Sequence, residues 1–207
     1  MGRKAKITKE MVLQAAYEIL DEEGISAVGI KPIAARLGCS TQPVSWLFGS
    51  MTELRKALFL YSCERLYGGL DEKMQGRSGL DAFFISGVWY ISNACDHPNV
   101  FRFTNVDDPM ITIGENPLGD KSIFAEQMDE LAVEMLAKEF KISKKKISAA
   151  VQNTVIYTHG LACMMMWDNY RLPKEKACRM LFDVGVTMLK DIGVESRKTW
   201  KDFAALL

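Results

Sequence analysis

Apolar residues between Val12 and Leu20 fall at Val12, Ala15, Ala16, Ile19 and Leu20, the i, i+3, i+4, i+7, i+8 spacing of one helix face. Thr8 stands where an N-cap belongs, Glu10 lies at the positive end of the dipole, and Gly24 reads as the stop. A short helix fits Ile30 to Leu37, with Pro32 in its first turn and Gly38 beyond its end. Ser40 or Thr41 then caps a third helix from Thr41 to Leu47, with Pro43 again in the first turn. Gly49-Ser50 breaks the chain, and Ser50 caps a long fourth helix running towards Gly68-Gly69 or a turn beyond.

Further on, helical periodicity covers 79–95, 98–105, 121–140, 144–168 and 174–192. Breaks fall at Gln75 to Gly79, His97-Pro98, Asp107 to Gly119, Lys141 to Ser143 and Arg171 to Pro173. No internal repeat and no alternating strand pattern interrupts this reading, so the expected fold class is all-α.

Composition adds limits. The 207 residues are 48% hydrophobic and 25% charged, which suits a folded chain with a core. No apolar run approaches the ~18 residues that span a bilayer, and no secretory signal pattern follows Met1. The five cysteines are odd in number and without a C-x-x-C pair, which fits a reducing, cytoplasmic setting better than a disulfide frame. Neither a metal site nor a cofactor is expected. Net charge is zero, yet residues 1–58 carry +2 and the remainder −2. Arg3, Lys4, Lys6 and Lys9 make the first nine residues a basic arm, suited to phosphates or simply to water.

Three short helices over 8–47, with a glycine turn between the last two, outline a helix-turn-helix. A major groove admits one helix, so the reader helix must stand out from its support on a tight turn. Ala34, Ala35 and Leu37 are the expected packing face of the support helix, and Val44, Leu47 and Phe48 that of the reader.

Residues 8–58 resemble the DNA-binding domain of the TetR family of bacterial repressors. The resemblance rests on Ile33-Ala34-Ala35-Arg36-Leu37-Gly38-Cys39-Ser40, on Pro43-Val44 and Leu47-Phe48, and on Ser50-x-x-Glu53-Leu54. Thr158-His159-Gly160-Leu161 also lies where family members often carry a His-Gly pair. Two positions depart from the family: Ser45 replaces a usual Tyr, and Met51 replaces a usual phosphate-contacting Lys. The resemblance implies an N-terminal DNA-binding domain over 1–50 and a helical ligand-binding and dimerising domain over 51–207. It also implies a ligand-responsive repressor that binds a palindromic, double-stranded operator as a homodimer. The alternative is a helical adaptor or small-molecule-binding protein with a degenerate head, which Ser45 and Met51 keep open.

On this reading Gln42 is the base reader, because its amide can bridge N6 and N7 of adenine. Thr41 and Ser45 share its helix. Lys31, Thr41, Trp46 and Thr52 are expected at the DNA backbone, with a buried core position as the other reading of Trp46.

In the body, aromatic and thioether side chains suit either a core or a pocket for a small apolar or aromatic effector. The candidate pocket residues are Phe84, Trp89, Phe101, Phe103, Phe124, Met128, His159 and Met164. The apolar stripes of 144–168 and 174–192, Ile147, Ala150, Val151, Val155, Thr158, Ala177, Met180, Leu181, Val184, Gly185 and Met188, suit a dimer bundle or an ordinary monomer core, and it is the family resemblance that implies the dimer. His97 reads as a turn or capping residue, and His159 as a satisfied helix residue available for a ligand or a helix–helix hydrogen bond. The sequence carries no phosphate loop, nucleophile elbow or paired-carboxylate motif, so no catalytic residue and no enzymatic activity are expected.

Overall fold

The computed structural model describes residues 6–118, 126–167, 169 and 172–205, with 126–131 described for their backbone alone. Among these residues the regular structure is helical throughout, and no helix is long and apolar enough to cross a membrane. The chain divides into two compact units. One comprises residues 1–68 with 97–120, the other 69–96 with 121–207.

The first unit opens with α1 (Lys9–Glu23). Thr8 Oγ1 accepts from Met11 N at 3.2 Å, the expected N-cap, and Gly24 closes the helix at φ 87° with its N–H on the Leu20 carbonyl. A short 3-10 turn (Ile25–Ala27) leads to α2 (Ile30–Arg36) and then α3 (Thr41–Phe48). Gly38 sits between them at φ 61°, a left-handed conformation that a side chain would strain. Ser50 caps α4 (Met51–Tyr67) by accepting from Glu53 N at 3.1 Å. Two later helices, α7 (Pro98–Asn105) and the one-turn α8 (Pro109–Thr112), belong to this same unit.

The five apolar positions of α1 are all buried, and so are Leu54, Leu58 and Phe59 of α4 and Val100, Phe101 and Phe103 of α7. Phe59 and Phe103 meet edge to face at 5.7 Å between centroids, an arrangement that aligns a ring edge with a π face. Polar ties fasten the 97–115 segment to α1 and α4. His97 Nδ1 meets Asp21 Oδ2 at 2.9 Å, and Asn99 donates to the Asp21 carbonyl at 2.9 Å. Arg55 donates to the Thr112 carbonyl at 3.0 Å, and Lys56 pairs with Glu115 at 2.8 Å. His97 does occupy the N-cap position of α7, but its ring binds Asp21 rather than capping.

The second unit holds α5 (Leu70–Met74), α6 (Gly79–Asp96), α9 (Glu126–Phe140), α10 (Lys144–Met165), α11 (Lys174–Asp191) and α12 (Trp200–Ala204). Helices α6, α10 and α11 pack on one another, with α9 on α6 and α10. Phe84 of α6 is 1% exposed and lies against the rings of Phe83, Phe182 and Phe203, at 5.3, 4.8 and 5.7 Å. Buried Thr154 and Thr158 return their hydroxyls to the carbonyls of Ala150 and Thr154, so neither leaves an orphan donor.

Several expectations need correction. Of the expected face of α2, Ala34 is buried, but Ala35 is exposed and Leu37 half-buried, and Ile33 is the second buried position. In α3 only Val44 is buried, whereas Leu47 and Phe48 are half-buried, with Lys9 Nζ standing 5.6 Å from the Phe48 ring centroid. Ser40 occupies the N-cap of α3 in extended conformation, but its side chain makes no capping bond. The turn beyond Gly68-Gly69 is a separate helix, α5, and α8 and α12 do not show in the periodicity, because one-turn elements carry too few apolar positions. Gly185 and Ala177 do not form an outward seam. Both are buried, and a Cβ on Gly185 would stand 2.5 Å from Phe84 Cε1.

Candidate nucleic-acid interface

The surface of α3 is made by what α3 does not bury. Val44 turns inward, and Thr41, Gln42, Ser45 and Trp46 are exposed. Gln42 and Trp46 are one helical turn apart and so share a face. Trp46 is 90% exposed, which removes the buried-core reading of that residue. Ser45 spends its hydroxyl proton on the Thr41 carbonyl at 3.2 Å, leaving only acceptor capacity for another molecule. Gly49 ends the helix at φ 75° with its N–H on the Ser45 carbonyl.

Lys31 is exposed in the first turn of α2. Thr52 is exposed in the first turn of α4, on the side near Gly114, where a Cβ would come 3.9 Å from its hydroxyl. Met51, at the position of the family's usual Lys, is half-buried and offers no charge. Arg36 is engaged elsewhere. Its guanidinium donates to both Glu22 oxygens, at 2.9 and 2.5 Å, and stands 3.6 Å from Glu18. That hydrogen bonding lowers the pKa of the Glu22 carboxyl and raises that of Arg36, so both stay charged.

The exposed side of α3 presents an indole, an amide and hydroxyl groups, and Lys31 and Thr52 are exposed on the helices that precede and follow it. An indole N–H and hydroxyls can donate to phosphate, and an amide can address a base edge. Trp46 is also the residue whose exposure a sequence alone leaves undecided, because an apolar aromatic at helical spacing suits a core as well.

The proposed body pocket residues are divided between the units. Phe101 and Phe103 are buried in the first unit, whereas Phe84, Trp89, His159 and Met164 belong to the second. Phe124 and the side chain of Met128 lie outside the described residues. In the second unit Tyr90 of α6 meets His159 of α10 through a hydrogen bond of 2.8 Å between Tyr90 Oη and His159 Nδ1. Burial lowers the pKa of His159, which favours the neutral ring. His159 Nε2 in turn lies 3.5 Å from Cys163 Sγ. Sequence reasoning missed Cys163, although its i+4 spacing from His159 was the available signal. No group of three or more His, Cys, Asp or Glu among the described residues is arranged to hold a metal ion.

Comparison with known proteins bears on both units. Residues 12–58 match the family model "Bacterial regulatory proteins, tetR family". An uncharacterised HTH-type transcriptional regulator of Mycobacterium tuberculosis is 28% identical over 117 residues. That match spans 54% of this chain and 54% of the relative. A TetR-like transcriptional regulator from Rhodococcus sp. RHA1 superposes with a TM-score of 0.66 at 15% identity, covering 92% of this chain and 98% of that one. A TetR variant from Acinetobacter baumannii AYE, solved in complex with minocycline, gives 0.61 at 14% identity, covering 91% and 100%. At such identities the two structures speak for the fold, and the N-terminal match speaks for the head. Residues 12–58 thus carry the sequence pattern of the tetR-family model, and the chain shares its all-helical fold with the TetR-like structures.

Proposed function

We propose that this regulator binds a palindromic operator as a homodimer, represses transcription there in the cytoplasm, and is released by a small apolar or aromatic effector held in the helical body. The observation that carries the DNA reading is the outer face of α3, where Gln42 is exposed one turn before a 90% exposed Trp46. An apolar ring left in water on the reader helix, beside an amide, fits a surface completed by a nucleic acid. Gln42 is the base reader, and Lys31, Thr41, Trp46 and Thr52 hold the phosphates, with Ser45 as an acceptor on the same helix. The head is assigned to 1–50 and the ligand-binding and dimerising part to 51–207.

Selection of bound sequences from a random DNA pool with the purified chain tests this reading. Enrichment of an inverted repeat with steeply salt-dependent affinity is the expected result. Recovery of no sequence above background ends it. With the selected operator, Gln42→Ala weakens binding by about 1–3 kcal/mol and relaxes discrimination at one base pair of each half-site. Equal loss across all operator variants removes Gln42 as a reader.

The dimer seam is the outward side of α10 and α11. Ile156 is 70% exposed on α10, and Val155, Met180, Val184 and Met188 remain half-buried in the single chain. An isologous two-fold contact buries each of these twice. Ile156→Arg therefore removes about 1.5–3 kcal/mol of apolar burial from each copy, and sedimentation shows a shift to monomer at micromolar concentration. An unchanged dimer places the seam elsewhere.

A further inference from the structure

The second unit contains a thiol, an imidazole and a phenol in series, and the DNA reading uses none of their chemistry. Cys163 and His159 lie one turn apart on α10, and their side chains meet at 3.5 Å between Sγ and Nε2. Tyr90, from α6, holds the other ring nitrogen at 2.8 Å. With the ring proton on Nδ1 and shared with the phenol oxygen, Nε2 presents its lone pair to the thiol. This is the geometry of a nucleophile with an adjacent base that a third group orients.

The other thiols differ. Burial pushes Cys63 and Cys178 up to about 11, and it raises Cys95 as well. Thiolate, the reactive form, is correspondingly scarce at those three. Cys39, half-buried after the glycine turn of the head, is the natural internal control. Cys163 is half-buried too, so access alone does not separate the pair; the imidazole does.

We propose that Cys163, with His159 as its base, is a covalent sensor for soft carbon electrophiles of the α,β-unsaturated carbonyl class. In the step, Sγ forms a bond to the β-carbon of the acceptor and the C=C π bond breaks. Its electrons move to the carbonyl oxygen as an enolate. The thiol proton passes to His159 Nε2 and returns to the α-carbon, so no oxidant or further reactant is consumed. The chemistry is independent of DNA; the word sensor rests on the regulator reading above.

The test uses the full chain with N-ethylmaleimide and, separately, 2-cyclohexen-1-one, and adducts are located by peptide mass. Cys163 is expected to label at least tenfold faster than Cys39. His159→Gln slows labelling of Cys163 by about tenfold or more and leaves Cys39 unchanged. In His159→Ala, added free imidazole restores part of the lost rate, which a merely structural histidine would not permit. Labelling of Cys163 no faster than Cys39 overturns the proposal, and this comparison needs no variant to fold. Oxidation of Cys163 by hydrogen peroxide without an enone adduct overturns it too.

A second measurement reads operator affinity, where the adduct is expected to weaken binding at least tenfold in the parent chain and not in Cys163→Ser. An adduct that leaves operator affinity unchanged overturns the sensing role. An unlabelled chain that binds no DNA defeats the regulator reading instead, while the labelling rates still decide the thiol chemistry.

Discussion

Phe84→Ala is expected to cost about 3–5 kcal/mol, the largest effect of any single substitution considered. The ring is 1% exposed and fills a space bounded by Phe83, Phe182 and Phe203, with Gly185 directly against its edge. Gly185 has no side chain with which to close the gap, and the three flanking rings are rigid, so the cavity persists and its cost is added to the lost transfer free energy. For a chain of this size that loss lowers the melting temperature by roughly 6–20 °C. Calorimetry, or urea unfolding followed by circular dichroism, checks it. A melting temperature within a degree of the parent protein would mean that the ring lines a pocket already open rather than a filled core.

Trp46→Ala is expected to do the opposite: leave stability within about 0.5 kcal/mol and remove much of the operator affinity. At 90% exposure the indole contributes almost nothing to the core of the head, so folding has little to lose. A lost hydrogen bond from the indole N–H to a phosphate is worth about 1.5–3 kcal/mol, ten- to a hundredfold in affinity per half-site. Fluorescence anisotropy on the selected operator, set beside thermal melting of the same variant, separates the two quantities. If affinity is unchanged, the outer face of α3 is not where DNA lies.

The parts of this architecture that were readable in advance are those with several turns of periodic burial. Helix α1 shows this well: its five predicted apolar positions, its Thr8 cap and its Gly24 stop are all present. The short helix α3 is legible in extent but not in orientation. Over eight residues, Val44, Leu47 and Phe48 look equally apolar, and only the packing of α1 and α4 shows that Val44 alone goes fully inside.

Gly185 shows another blind spot. A small residue on a long helix fits a subunit seam or an intramolecular contact, and here the bulk of Phe84, distant in sequence, decides for the latter. Phe101 and Phe103 were expected beside the body's aromatics. They lie in the first compact unit, because α7 packs on α1 and α4, a tertiary choice that spacing does not encode. Ser40, a good cap by type, makes no capping bond, which propensity cannot foresee.

The ties between Asp21 and His97, Asp21 and Asn99, Arg55 and Thr112, and Phe59 and Phe103 have a practical corollary for anyone cutting or grafting this chain. A fragment excised after Gly68 would carry Phe59 without the ring that covers it, and Arg55 without its carbonyl. Chimaeras that borrow this unit must therefore transplant 97–118 along with 6–68, as two separate inserts rather than one cassette.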